Sequence, residues 1–345
     1  MATWAVLLND ATYVLAEAGV PSPRVDAKEL AEFLCGHKPN PRSLADECTT
    51  ADYLSLVGRR CGREPLQHIT GRMYFRYLEL ACTPDVFIVR PETELVAGAA
   101  IDTARELMRQ RLRSTDNERG QGGGVRAGFG AHGVAVSAGA EGHGDIACVA
   151  ERGQGGGVRA ISKEQYSAVL RTTEQGSPSL TVVDLCTGSG AIALSVATEV
   201  PGTRVYAAEI SPQAFRVAER NNERYGNRVH IINEDALHAF PELEGAVDIV
   251  VTNPPYVPPG IKHSPEVQRD PQLALWGGGE DGLDLPRQLV CRATQLLHPG
   301  GMLIMEHAET QGEALRNFMN THGFCDAVTH EDYTRRPRWT QARKI

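Results

Sequence analysis

Four consecutive residues, Asn253-Pro254-Pro255-Tyr256, carry the chemistry most readily read from this chain. They follow Val247-Asp248-Ile249-Val250-Val251-Thr252, an apolar run rich in β-branched residues that predicts a buried strand. Ligands of open α/β sheets bind beyond the carboxyl ends of strands. Two successive prolines fix the backbone there and remove two amide donors, so nearby carbonyls stay free to accept. Asn253 adds an amide oxygen and an NH2, and Tyr256 adds a flat ring. Such a set suits a planar group bearing an NH2. Alone, an Asn-Pro pair after a strand divides evenly between a site and a plain turn.

A second motif tips the balance. Leu180-Thr181-Val182-Val183-Asp184-Leu185 reads as a strand and enters Cys186-Thr187-Gly188-Ser189-Gly190. The Ala-rich run Ala191–Ala197 behind it reads as a helix, so strand, glycine turn and helix form a nucleotide-type cradle. Gly188 and Gly190 allow positive φ and close approach of a ligand. The next strand, Arg204–Ala208, ends at Glu209, an acid where ribose hydroxyls are usually held.

A glycine turn followed by an acid also fits a dinucleotide oxidoreductase. Here Cys186 and Ala193 break the G-x-G-x-x-G spacing, and Asn-Pro-Pro-Tyr has no part in hydride transfer. Both departures favour S-adenosylmethionine, which has no pyrophosphate to cradle. At this point the residues resemble the class I methyltransferases that modify planar nitrogen.

The resemblance narrows further. Phe87-Ile88-Val89-Arg90-Pro91-Glu92-Thr93-Glu94-Leu95 is similar to the linker signature of the peptide chain release factor glutamine methyltransferases, as is Pro65–Gly71 before it. Glu266-Val267 through Leu275, then Gly278–Leu283, and the tail Trp339–Lys344 also match that family. The similarity covers nearly the whole chain outside residues 113–176. Two departures stand out: Cys186 where the family usually has Gly, and Glu209 where it often has Asp. Both leave the needed chemistry in place, with cofactor affinity open to change.

The resemblance implies methyl transfer from S-adenosylmethionine to the side-chain amide of the glutamine in the Gly-Gly-Gln motif of release factors. It implies a catalytic set of Asn253, Pro254, Pro255 and Tyr256. Asn253 Oδ1 and the Pro254 carbonyl would each accept one substrate N–H, and Tyr256 would pack on the flat amide. The implied cofactor set is Cys186, Thr187, Gly188, Ser189, Gly190, Glu209, Asp235, Ala236 and Asn253. Asp235-Ala236 is where the family contacts adenine, although capping preference makes Asp235 equally a turn residue. Asp184 is expected to support the cradle. The alternative is an adenine-amino methyltransferase of DNA or RNA, which uses the same tetrapeptide on a flipped base. That reading calls for a basic reading region, and none is evident.

Length and composition are consistent with this. A chain of 345 residues predicts about two domains. With 41% hydrophobic and 23% charged residues the composition is that of ordinary globular material. No apolar run is long enough for a membrane span, and no secretion signal opens the chain, so a cytoplasmic protein is expected. Eight cysteines show no Cys-x-x-Cys pair, so reduced thiols are expected, with neither metal site nor disulfide framework. A net charge of −8 argues against stable nucleic-acid binding. A monomer is expected.

These motifs need a doubly wound α/β sheet to position them, mainly parallel and covered on both faces. The family's version has seven strands. Residues 1–68 show helical spacing and predict a small all-helical domain, which by resemblance recognises the protein substrate. Residues 69–91 predict a β-hairpin linker, and 92–345 the methyltransferase domain, whose first helix runs from Glu92 to Arg113. Inside it, residues 113–176 predict a disordered Gly-rich insertion. There Glu118–Ala127 recurs identically as Glu151–Ala160. A mimic of the substrate glutamine, through Gly120-Gln121-Gly122 and Gly153-Gln154-Gly155, is the weaker reading, because glycine bias alone generates such tripeptides.

Overall fold

A computed structural model describes residues 2–121, 134–136, 149–152, 158–160, 179–262 and 264–345. The chain starts with strand β1 (Ala2–Thr3) and helices α1 (Trp4–Glu17) and α2 (Pro23–Cys35). Strand β2 (Leu44–Ala45) and helices α3 (Glu47–Cys61) and α4 (Leu66–Thr70) follow. Gly36 stops α2 in the left-handed conformation at φ 70°, as a C-terminal glycine should. Trp4, Leu7, Leu15, Leu30, Tyr53, Val57 and Ile69 close a separate apolar core, with Trp4 edge-on to Tyr53. Helix α4 straddles the boundary that the sequence suggests at residue 68.

The expected hairpin is β3 (Arg72–Phe75) with β4 (Leu78–Ala81). Helix α5 (Thr93–Gln121) passes the end expected at Arg113. Three short antiparallel strands, β5 (Val134–Val136), β6 (Val149–Arg152) and β7 (Val158–Ala160), are the other described pieces of the Gly-rich segment. The rest of the expected disordered insertion lies outside the described residues.

The catalytic layer alternates strands and helices. Strand β8 (Leu180–Leu185) precedes α6 (Ala191–Glu199), β9 (Thr203–Ala208), α7 (Pro212–Arg224) and β10 (Val229–Ile232). Strand β11 (Val247–Thr252), α8 (Asp284–Leu296), β12 (Leu297–Glu306), α9 (Gly312–Thr321), β13 (Phe324–Glu331) and β14 (Pro337–Lys344) complete it. The seven-stranded order is β10-β9-β8-β11-β12-β14-β13, parallel as far as β12 and antiparallel at β14 and β13. Every residue of β8 and β11 is buried, as expected where helices cover both faces. Alternation sorts the side chains. Val182, Ile249 and Val251 pack with the hairpin, α5 and α6, whereas Val183 and Val250 pack with α8 and α9.

Strand order reverses between β8 and β11, so their carboxyl ends open a crevice. The segment after the tetrapeptide is pinned over it from two sides. Asp270 accepts from the Ile88 amide and pairs with Arg90 in the linker. Glu266 accepts two 2.7 Å bonds from Arg63 and two, of 3.1 and 3.2 Å, from Arg60, which also pairs with Asp26. Burial would raise the Glu266 carboxyl, but the two guanidiniums outweigh it and hold it down at about 2.

Glu266→Gln is therefore expected to lower stability at pH 7 by about 1–3 kcal/mol. A depressed carboxylate contributes above its unfolded value of 4.5 and loses that contribution as pH falls toward 2. Urea unfolding should show the gap between wild type and variant at pH 7 narrowing by about half at pH 3 and closing only as pH falls below about 2. A gap that persists at low pH would disprove the ionic account.

Candidate active site

Register builds the site. Leu185 is paired with Ala208 and with Thr252, and Thr252 with Met305. The next residue on each of these four adjacent strands is therefore at one level: Cys186, Glu209, Asn253 and Glu306. A cavity of about 250 Å³ lies against this edge. It is lined by Cys186, Thr187, Gly188, Ser189, Glu209, Asp235, Ala236, Asn253, Pro254, Pro255 and Tyr256. Of the residues expected from sequence, Gly190 alone does not line it. Gly190 instead turns the loop into α6 at φ 83°, where a side chain would press on Leu194.

The cradle is braced from below. Asp184 is fully buried, and its Oδ2 accepts from the Thr187 hydroxyl at 2.6 Å and the Ala193 amide at 3.1 Å. Burial pushes its carboxyl up to about 7, against the pull of those two donors. Cys186 adopts φ 63°, a left-handed conformation that costs a non-glycine residue about 1–2 kcal/mol. Burial keeps its thiol protonated. The Ser189 hydroxyl is buried and lacks a hydrogen-bond partner among the described residues.

Glu209 ties the cradle to the next crossover. Oε2 accepts from Gly188 N and Oε1 from Ser211 N, both at 2.8 Å. Burial raises its carboxyl, and the Ser211 and Gly188 amides oppose that rise. Each oxygen keeps a lone pair for a further donor. Ser211 caps α7 through its hydroxyl, with Pro212 at the first helical position. Asp235 Oδ1 accepts from the Leu237 amide at 2.9 Å, a turn contact made while the residue also lines the cavity.

Asn253 Nδ2 donates to Thr93 Oγ1 at 3.2 Å, at the start of α5. Its Oδ1 and the Pro254 carbonyl accept no hydrogen bond from the described residues, leaving two acceptors at the cavity edge. The Tyr256 carbonyl accepts from Gln311 Nε2 at 2.7 Å, and the Tyr256 hydroxyl donates to Glu306 Oε1 at 3.1 Å. Glycines make this packing feasible. A Cβ on Gly282, which has φ 74°, would collide with the Tyr256 carbonyl oxygen.

Sequence reasoning missed Thr93, Glu306 and Gln311. An available signal for Glu306 was its position directly after the apolar run Leu303-Ile304-Met305, as Asn253 follows β11. Thr93 and Gln311 carry no such signal.

The arrangement offers a cavity beside two carbonyl acceptors that no described residue engages, suited to a planar NH2 group. Comparison with known proteins agrees. Residues 7–71 match the PrmC N-terminal domain, and residues 165–269 match the methyltransferase small domain. The release factor glutamine methyltransferase of Streptomyces coelicolor is 42% identical over 97% of this chain and 95% of its own. That of Bifidobacterium longum is 34% identical over 96% and 97%. A 4-amino-L-phenylalanine/4-methylamino-L-phenylalanine methyltransferase of Streptomyces pristinaespiralis is 33% identical over 90% and 84%. With near-complete coverage on both sides and a methyltransferase small domain whose match spans the tetrapeptide, this chain belongs to the release factor glutamine methyltransferase family.

Proposed function

We propose that this protein methylates the side-chain amide nitrogen of the glutamine in the Gly-Gly-Gln motif of peptide chain release factors, with S-adenosylmethionine as donor. The observation that carries the reading is the pair of acceptors, Asn253 Oδ1 and the Pro254 carbonyl, beside a glycine-turn pocket bounded by Glu209. Donor chemistry fits the residues present. Glu209 retains lone pairs for ribose hydroxyls, Ser189 carries an unpartnered buried hydroxyl, and Ile192 and Leu237 offer apolar walls.

When bound, S-adenosylmethionine supplies an electrophilic sulfonium methyl. The protein's task is to make a poor nucleophile face it, because an amide lone pair is delocalised into its carbonyl. Asn253 Oδ1 accepts one substrate N–H and the Pro254 carbonyl the other, which holds the nitrogen's remaining face toward the methyl. Both oxygens also stabilise positive charge as it grows on nitrogen. Fixed orientation provides much of the remaining acceleration. The Tyr256 ring packs against the flat amide. No strong base is needed, since an N-methylated cationic amide is acidic and releases its proton to water.

We assign residues 1–68 to substrate recognition, 69–91 to the linker and 92–345 to catalysis. This is supported by the separate helical core and by the Glu266 contacts that seat it beside the cleft. Among the described residues, no helix is long and apolar enough to cross a membrane.

Incubation with methyl-labelled donor and purified release factor should place label on the glutamine. Label appearing on DNA adenine or on 4-aminophenylalanine, with none on the release factor, would overturn the assignment. Donor affinity gives a second check. Glu209→Ala should weaken S-adenosylmethionine by about 1.5–3 kcal/mol in calorimetry, the range for hydrogen bonds to a charged group. Unchanged affinity would put the donor elsewhere.

A further inference from the structure

Gln311 occupies the position just before α9, where a short oxygen-bearing side chain would ordinarily cap the helix. Its side chain makes no capping bond. It is 4% exposed and reaches other segments instead. Oε1 accepts from the Ala308 amide at 2.8 Å, and Nε2 donates to the Tyr256 and Asp281 carbonyls, both at 2.7 Å. The partners fix which end of the side-chain amide is which, because an amide N–H must meet an acceptor and a carbonyl a donor. One side chain thus joins the end of the tetrapeptide, the Gly278–Leu283 turn and the loop after β12.

Tyr256 is crowded on its other flank. A Cβ on Gly277 would stand 2.8 Å from Tyr256 Cα, and one on Gly282 would stand 2.3 Å from the Tyr256 carbonyl oxygen. The next residue is tied to the same fold-back: Val257 N donates to the Leu275 carbonyl at 2.8 Å, and Gly277 N to the Val257 carbonyl at 3.2 Å. At the far end of the ring, the hydroxyl donates to Glu306 Oε1 at 3.1 Å. Tyr256, which lines the cavity, is therefore gripped at its carbonyl and at its hydroxyl. Re-aiming the ring strains one grip or the other.

The chemistry selects glutamine. Two carbonyls need two hydrogens, and the Ala308 amide needs an acceptor, which is the set a neutral primary amide supplies. Methionine keeps the length without the hydrogens, and asparagine keeps the amide but is one methylene shorter.

We infer that Gln311 is a positioning residue for methyl transfer: by holding the Tyr256 and Asp281 carbonyls together, it sets the plane in which the Tyr256 ring meets the substrate amide. This rests on the packing role proposed for Tyr256 above.

The test compares Q311M and Q311N with Y256A, the Y256A/Q311M double variant and N222A, measuring kcat, KM, donor affinity and thermal midpoint. Asn222 is a stability control: its buried amide bonds the Val229 backbone through both ends and does not line the cavity. Q311M should lose kcat by on the order of 10-fold, less than the roughly 100-fold that a misplacement of about 1 Å can cost. Its donor affinity should be unchanged. N222A should lower the thermal midpoint as Q311M does, yet keep wild-type kcat well below either midpoint. In the Y256A background, Q311M should still lower the midpoint but slow turnover no further, since residues acting through one group are not additive. Q311N should fall between wild type and Q311M in kcat, and it carries the test if Q311M fails to fold. Wild-type kcat in Q311M and Q311N alongside an impaired Y256A would overturn this inference alone. So would a kcat loss in N222A equal to that of Q311M, or a Q311M effect undiminished in the Y256A background. An unimpaired Y256A would overturn it together with the Tyr256 reading.

Discussion

Asn253→Ala is expected to lower turnover by about 10²–10³ while donor affinity suffers less, the scale for removing one preorganised polar group from a charge-developing site. The reason is local. Asn253 and Pro254 both line the cavity at the β11 end, and neither Asn253 Oδ1 nor the Pro254 carbonyl is engaged by the described residues. Alanine removes one of the two acceptors proposed to aim the substrate nitrogen. It also strips Thr93 of its 3.2 Å partner, which is a smaller structural loss. The proposed donor pocket draws most of its residues from the ends of β8 and β9, so calorimetry with S-adenosylmethionine should report a smaller loss in binding than in turnover. Single-turnover kinetics under saturating donor isolate the chemical step from product release. Near-normal turnover would remove Asn253 from the chemistry and, with it, the proposed aim of the amide.

How much of this was legible in one dimension depended on how local the cause was. Strands β8 and β11 announce themselves because burial on both faces makes them unbroken apolar runs. The glycine turn and the tetrapeptide are local backbone chemistry, so their positions at strand ends could be read directly. The helical domain was visible as helical spacing over residues 1–68. What escaped notice depends on register or on distance along the chain. Glu306 after Met305 looks like any acid closing a strand, and only the pairing of Met305 with Thr252 brings it level with Asn253. Thr93 sits inside a recognised linker signature, but its hydroxyl matters only because β11 ends beside α5. The Arg63–Glu266 pair joins residues 203 positions apart, beyond any periodicity argument. Helix α5 runs on to Gln121 although the Gly-rich segment expected from residue 113 suggested an earlier stop; intrinsic propensity is a weak guide to a helix end.

Two buried carboxyls make stability depend on pH in a direction opposite to most proteins' acid limb. Burial raises Asp184 and Glu306 to about 7 each, from 3.8 and 4.5. At Glu306 the Thr93 and Tyr256 hydroxyls and Arg338 oppose that rise, while Glu92 adds to it. Below the unfolded values, both states hold the proton and the groups add nothing. Between about 4 and 7 the unfolded chain has released protons that the native state still binds, so stability falls as pH rises. Above 7 the loss is complete. At 1.36 kcal/mol per unit, the Glu306 shift is worth about 3 kcal/mol. The absolute curve hides this, because Glu266 and Asp332, both held low by guanidinium partners and local donors, titrate with the opposite sign. The difference between wild type and Glu306→Gln isolates it. Glutamine does not ionise, so urea unfolding should show the variant gaining about 3 kcal/mol relative to wild type between pH 4.5 and 7.5. Most of that gain should fall below pH 7. Parallel stability curves for the two proteins would mean that Glu306 is ionised in the native state at much lower pH, with its charge stabilised by the Thr93 and Tyr256 donors after all.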